Sequence, residues 1–64
     1  MKKEDERFVV TYRQGAMRIF EIWVDRETGV NYIFTSYGNA GGITPLLDKN
    51  GYAVVTDPAT VTRL

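Results

Sequence analysis

Between Phe8 and Leu64 the chain alternates short apolar runs with clusters of glycine, asparagine, aspartate and proline, the punctuation of a protein built from β-hairpins. Phe8 to Arg13, F-V-V-T-Y-R, is β-branched and aromatic, and Gln14-Gly15-Ala16 supplies a turn after it. Met17 to Val24, M-R-I-F-E-I-W-V, carries large apolar side chains at odd and even positions alike: Ile19 and Trp23 on one parity, Phe20, Ile22 and Val24 on the other. Its β-branched and aromatic content, with a turn signal at each end, predicts a strand rather than a helix. A strand apolar on both sides is expected to be shielded on both faces.

Asp25-Arg26-Glu27-Thr28-Gly29 is the strongest local signal. Asp25 can accept hydrogen bonds from amides further round the bend, and Gly29 can take a left-handed backbone that strains a residue with a Cβ. A four-residue loop over Arg26 to Gly29 sets Trp23 opposite Tyr32, Glu21 opposite Phe34 and Ile22 opposite Ile33. A five-residue loop instead pairs Phe20 with Phe34 and Ile22 with Tyr32. Turn chemistry favours the first register and burial the second; we adopt the first, noting that a one-residue slip reverses every face.

Val30 to Ser36 is the third predicted strand, and Tyr37 to Gly42 is glycine-rich enough to read as a loop. Ile43 to Leu47 reads as a short strand that Pro45 confines to an edge or bulge, since proline has no amide to donate. Asp48-Lys49-Asn50-Gly51 has the residues of a type I turn. It leads into a fifth strand, Tyr52 to Thr56, with Leu46 opposite Val54 and Leu47 opposite Ala53. Asp57 to Thr60 is a further turn, and Val61 to Leu64 is too short to assign. The expected fold is all-β: about five short antiparallel strands in hairpins, forming a curled meander or small barrel. Because the second strand is apolar on both sides, the sheet must curl on itself or pack against another chain.

Composition narrows the picture further. Sixty-four residues hold one core, so residues 8–64 are read as a single β domain behind a frayed tail, residues 1–7, in which Lys2, Lys3, Glu4, Asp5 and Glu6 have nothing to bury. With neither cysteine nor histidine, a disulfide or a histidine–cysteine zinc cluster is not available as a staple. Self-association is then the remaining route to extra stability. Eight basic and eight acidic residues cancel, so no long-range field favours nucleic acid or anionic lipid. No apolar run approaches membrane-spanning length, and a cytoplasmic protein is expected.

Two segments, V-D-R-E-T-G-V-N-Y-I-F from Val24 to Phe34 and G-G-I-T-P-L-L-D-K-N-G from Gly41 to Gly51, resemble a small family of bacterial and phage-borne proteins catalogued only as a domain of unknown function. The resemblance covers Phe8 to Val55. Its shared pattern is V-D-x-x-T-G-V-x-Y-[LI]-F, a glycine-rich stretch, and G-G-[LI]-T-P-L-L-D-x-x-G, commonly followed by Lys-Pro-Val. Tyr52-Ala53-Val54 departs from that last step, which implies a fifth strand able to donate a bond where relatives cannot. The family brings no activity and no site residue.

No catalytic or metal constellation is visible, and no cofactor is expected. Glu21, mid-strand among apolar neighbours, could be a general acid, but the ordinary reading is a glutamate paired with Arg13 or Arg18. Asp25, Asp48 and Asp57 begin turns, where local amides engage their carboxylates. Thr28, Ser36 and Thr44 have no histidine to activate them. The aromatic residues Tyr12, Trp23, Tyr32, Tyr37 and Tyr52 could form a stacking platform for single-stranded nucleic acid. Glu21, Asp25 and Glu27 offset the nearby arginines, however, and cross-strand packing is preferred. The sequence therefore points to a non-enzymatic protein-interaction module whose partner is itself or another protein, with Trp23, Tyr32, Tyr37, Gly38 and Asn39 as candidate binding residues. The alternative is a small-ligand or peptide-binding domain using the 37–42 segment, and a nucleic-acid-binding barrel is less favoured.

Overall fold

The computed structural model describes residues 6–64. Four antiparallel strands, β1 (Phe8–Gln14), β2 (Arg18–Asp25), β3 (Asn31–Tyr37) and β4 (Ala40–Pro45), lie in the order β1-β2-β3-β4. This is the expected meander, with each strand hydrogen-bonded to its sequence neighbour. It does not close into a barrel: β1 and β4 remain edges of an open sheet.

The β2–β3 hairpin has the four-residue loop and its register, with Trp23 opposite Tyr32, Ile22 opposite Ile33 and Glu21 opposite Phe34. The turn chemistry that favours it is visible. Asp25 Oδ1 accepts from the Glu27 amide at 2.8 Å, and Gly29, at φ 82°, donates its amide to the Asp25 carbonyl at 2.7 Å. Asp48 and Asp57 behave in the same way, accepting from the amides of Asn50 and Tyr52 and of Ala59 respectively.

Two local expectations are corrected. The 37–42 segment is not a loop: only Gly38 and Asn39 turn, while Ala40, Gly41 and Gly42 pair with Tyr37, Ser36 and Thr35 as part of β4. Gly38 at φ 61° followed by a residue of negative φ is the pattern of a type II′ hairpin turn, whose twist matches that of the strands. Nor does Tyr52 to Thr56 form a fifth strand. It makes only isolated bridges, Leu47 with Ala53 and Val30 with Val55.

The reason is a three-way junction at Asn31. Its amide donates to the Val54 carbonyl at 2.9 Å, the Val54 amide to the Leu46 carbonyl at 2.8 Å, and the Leu46 amide to the Asn31 carbonyl at 3.0 Å. Val54 is thus wedged between β3 and the chain leaving β4, so Val54 to Thr56 take over pairing with the start of β3. The Asn31 side chain locks the junction, with Nδ2 donating to Gly29 O, Val54 O and Thr56 Oγ1 at 3.1, 3.3 and 2.9 Å.

From there the chain crosses one face of the sheet through a 3₁₀ turn, Pro58–Thr60, and ends with the Leu64 amide on the Val10 carbonyl of β1 at 2.7 Å. The row Val9, Val24 and Asn31, opposite one another in register and buried, lies beneath this segment. Val9 and Val24 are the buried hydrophobic residues among those described. The shielding expected along Phe20 to Val24 is therefore achieved only at its end: Val24 is 1% exposed and Phe20 38%. The segment after Thr56 covers the Val9 row of the sheet and leaves the rows beyond it open.

Of the expected 1–7 tail, residues 1–5 lie outside those described. Arg7 is anchored on Asp25, and the Glu6 carbonyl accepts from Arg26 Nη1 at 3.0 Å.

Candidate functional site

Alternation of side chains assigns each strand residue to a face. The first face carries Trp23, Tyr32, Phe34 and Ile43, which the registers of β2–β3 and β3–β4 set side by side. The Trp23 and Phe34 rings stack at 5.2 Å between centroids, and Phe8 meets Tyr32 edge-on at 6.3 Å. Phe8, Trp23, Tyr32 and Ile43 line a shallow apolar hollow of about 300 Å³. Trp23 Nε1 donates to Glu21 Oε1 at 2.8 Å, and Glu21 Oε2 lies 3.3 Å from Arg13 Nη1. Glu21 is thus a paired residue that satisfies the indole amine, leaving the ring free to pack.

The sequence's five candidate binding residues fall into two groups. Trp23 and Tyr32 are direct cross-strand neighbours on the first face. Tyr37 sits on the second face at the far end of β3, with the Arg18 guanidinium 5.3 Å from its ring centre, and Gly38 and Asn39 form the turn beside it. No single site gathers all five. The 38–42 backbone, considered as a cradle of free amides, instead spends the amides of Ala40 and Gly42 on the ladder, because hydrogen-bonded pairs alternate outward from the bonded pair Leu46–Asn31. Phe8, Phe34 and Ile43 join the first-face cluster without having been singled out from the sequence. Phe34 was within reach, two residues beyond Tyr32 on the same face, whereas Ile43 needed the β3–β4 register.

The second face also carries uncovered apolar side chains beyond the Val9 row, with Tyr12, Phe20, Ile22 and Ile33 lining another hollow together with Gln14. Charge sits at the margins. Arg7 Nε and Nη2 bond the two oxygens of Asp25 at 2.9 and 2.8 Å. This guanidinium, followed by the Glu27 amide and the Thr28 hydroxyl, holds the Asp25 carboxyl well below the usual carboxylate range, and Asp25 in turn raises Arg7. Among the described residues no group of three or more histidine, cysteine, aspartate or glutamate side chains could hold a metal ion, and no helix is long and apolar enough to cross a membrane.

Fold and surface together define a small β-meander with open apolar faces and a polar margin. Residues 7–56 match the Family of unknown function (DUF6440), and the chain belongs to that family. No curated protein and no solved structure matches it. Asp25 and Gly29 have structural tasks in the β2–β3 hairpin: Asp25 ties the turn to Arg7, and Gly29 lies against the Thr56 backbone, where a Cβ would collide with the Thr56 oxygen.

Proposed function

We propose that this domain is a non-enzymatic protein-interaction module that associates with itself. One observation carries the reading: apolar side chains at the centre of both faces stay in contact with water in the single chain. Phe8, Tyr12, Phe20, Tyr37 and Ile43 are all exposed, and Trp23, Tyr32, Phe34, Ile22 and Ile33 are only half-buried. An open sheet in which Val9 and Val24 are the buried hydrophobic residues among those described has little of the apolar burial that stabilises small domains, and contiguous exposed apolar surface of this kind marks interaction sites. Since the sheet does not curl closed, docking is the remaining means of covering it.

Sedimentation equilibrium of the intact chain at micromolar concentrations tests the reading. A weight-average mass above the 7.3 kDa of the monomer, rising with concentration towards a multiple of it, is expected. A strictly monomeric species that also recovers no partner overturns it.

A further inference from the structure

The two edges of the sheet are treated differently by the chain. On β1 the pairing shifts register between Val10 and Tyr12, a bulge that interrupts a flat edge, and the Leu64 amide occupies the Val10 carbonyl. Arg13 on this strand brings charge to the same edge. These are the devices by which proteins keep an edge from pairing with another chain.

β4 has no bulge, no capped carbonyl and no charged side chain, and only Pro45 at its end is a device of this kind. Its register with β3 runs unbroken from Ala40 to Pro45, none of its side chains is charged, and every one of its residues is exposed. The bonded pair Leu46–Asn31 fixes which backbone groups point inward: those of Ala40, Gly42 and Thr44 bond β3, while those of Gly41, Ile43 and Pro45 face out. No backbone bond among the described residues engages these outward groups.

We propose that β4 pairs antiparallel with β4 of a second copy about a twofold axis at Ile43, so that two four-stranded sheets become one continuous sheet. This rests on the self-association proposed above and names the surface that carries it. The edge is self-complementary in that register. Ile43 exchanges both of its bonds with Ile43 of the second copy, and Gly41 comes opposite Pro45. Pro45 has no amide, yet its carbonyl can accept from the Gly41 amide, so every outward donor finds an acceptor. The proline ring also falls opposite a residue with no side chain. The two Ile43 side chains meet on the first face, continuing the stripe of Trp23, Phe34 and Ile43 from one copy into the other. A second copy suits this edge better than a charged peptide does, because β4 carries no charge to select one and the whole chain is neutral.

The experiment combines sedimentation with site-directed cross-linking, which the absence of native cysteine makes clean. Ile43→Lys places two like charges opposite one another across the axis and takes two apolar side chains out of the contact, which together should weaken the dimer at least about tenfold. Because Ile43 is 52% exposed and its backbone faces away from β3, the variant should keep the wild-type circular dichroism spectrum. Ile43→Cys should form a disulfide dimer under mild oxidation, since opposed residues in a bonded antiparallel pair stand about 5.5 Å apart at Cα, within disulfide range. Tyr52→Cys, at a residue 72% exposed but away from the axis, should cross-link more slowly.

A wild-type dimer that persists in folded Ile43→Lys, or that leaves Ile43→Cys no faster to cross-link than Tyr52→Cys, overturns the β4 pairing while self-association through another surface stands. A wild-type chain that is strictly monomeric removes both.

Discussion

Arg7 and Asp25, eighteen residues apart, form a two-point ion pair in which the guanidinium covers both carboxylate oxygens at 2.8 and 2.9 Å. The pair clamps the start of β1 to the β2–β3 turn, because Asp25 Oδ1 also holds the Glu27 amide and the Arg26 amide donates to the Arg7 carbonyl at 2.7 Å. Asp25 is 2% exposed, so its charge relies on these partners rather than on water.

Stability should consequently depend on acid through this residue. The folded chain holds Asp25 below its ordinary value, so in the acid range the unfolded state binds the proton more readily. The contribution of the pair is complete above about pH 5 and fades as pH falls towards the depressed folded value. Urea midpoints should therefore drop on acidification in the wild type. In Asp25→Asn the midpoint should be lower at neutral pH and should fall less between about pH 6 and pH 3; equal acid dependence in the two proteins would count against this role.

Gly29 and Gly51 both have positive φ, at 82° and 86°, but different surroundings. Gly51→Ala should cost only the left-handed backbone penalty, about 1–2 kcal/mol. Gly29→Ala should cost more, since its Cβ would meet the Thr56 carbonyl and displace the segment that covers the Val9 row. Thermal melts of the two variants measure the difference.

Asn31→Ala removes the three Nδ2 bonds but leaves the Gly29 and Val54 carbonyls their backbone donors, and should destabilise by about 1–2 kcal/mol. Asn31→Asp should be worse at neutral pH, because a carboxylate would face the Gly29 and Val54 carbonyls that now receive Nδ2. Amide exchange at Thr56 and Val54, which pair with Gly29 and Leu46, should accelerate in both variants.

Val24→Ala and Phe20→Ala separate core from surface on one strand. Removing two methyl groups from the fully buried Val24 should cost about 2–3 kcal/mol. Phe20→Ala removes more atoms from a more exposed position and should cost less per atom removed when measured by chemical denaturation of the monomer at low concentration.

The sequence alone was enough to set the first three strands and the turn duties of Asp25, Asp48 and Asp57, and its turn chemistry, against its burial pattern, selected the β2–β3 register, because each depends on residues within a few positions of one another: a side-chain acceptor, a glycine, a β-branched and aromatic run. It also placed Trp23 and Tyr32 together once that register was chosen. Only the tertiary structure decided the rest. The Gly38–Asn39 turn is tight because β3 provides a partner for Gly41 and Gly42, residues whose local preference is for a loop. The fifth strand is lost because Asn31 accepts from Leu46, fifteen residues on, while donating to Val54, twenty-three residues on, a junction that no local pattern shows. Arg7 leaves the tail for Asp25 on the same principle. Which apolar residues are covered was equally a non-local matter, since apolarity marks a side chain as suited to burial, but only the path of the chain after Thr56 determines that Val9 and Val24 are covered and that Phe20 and Ile43 are not.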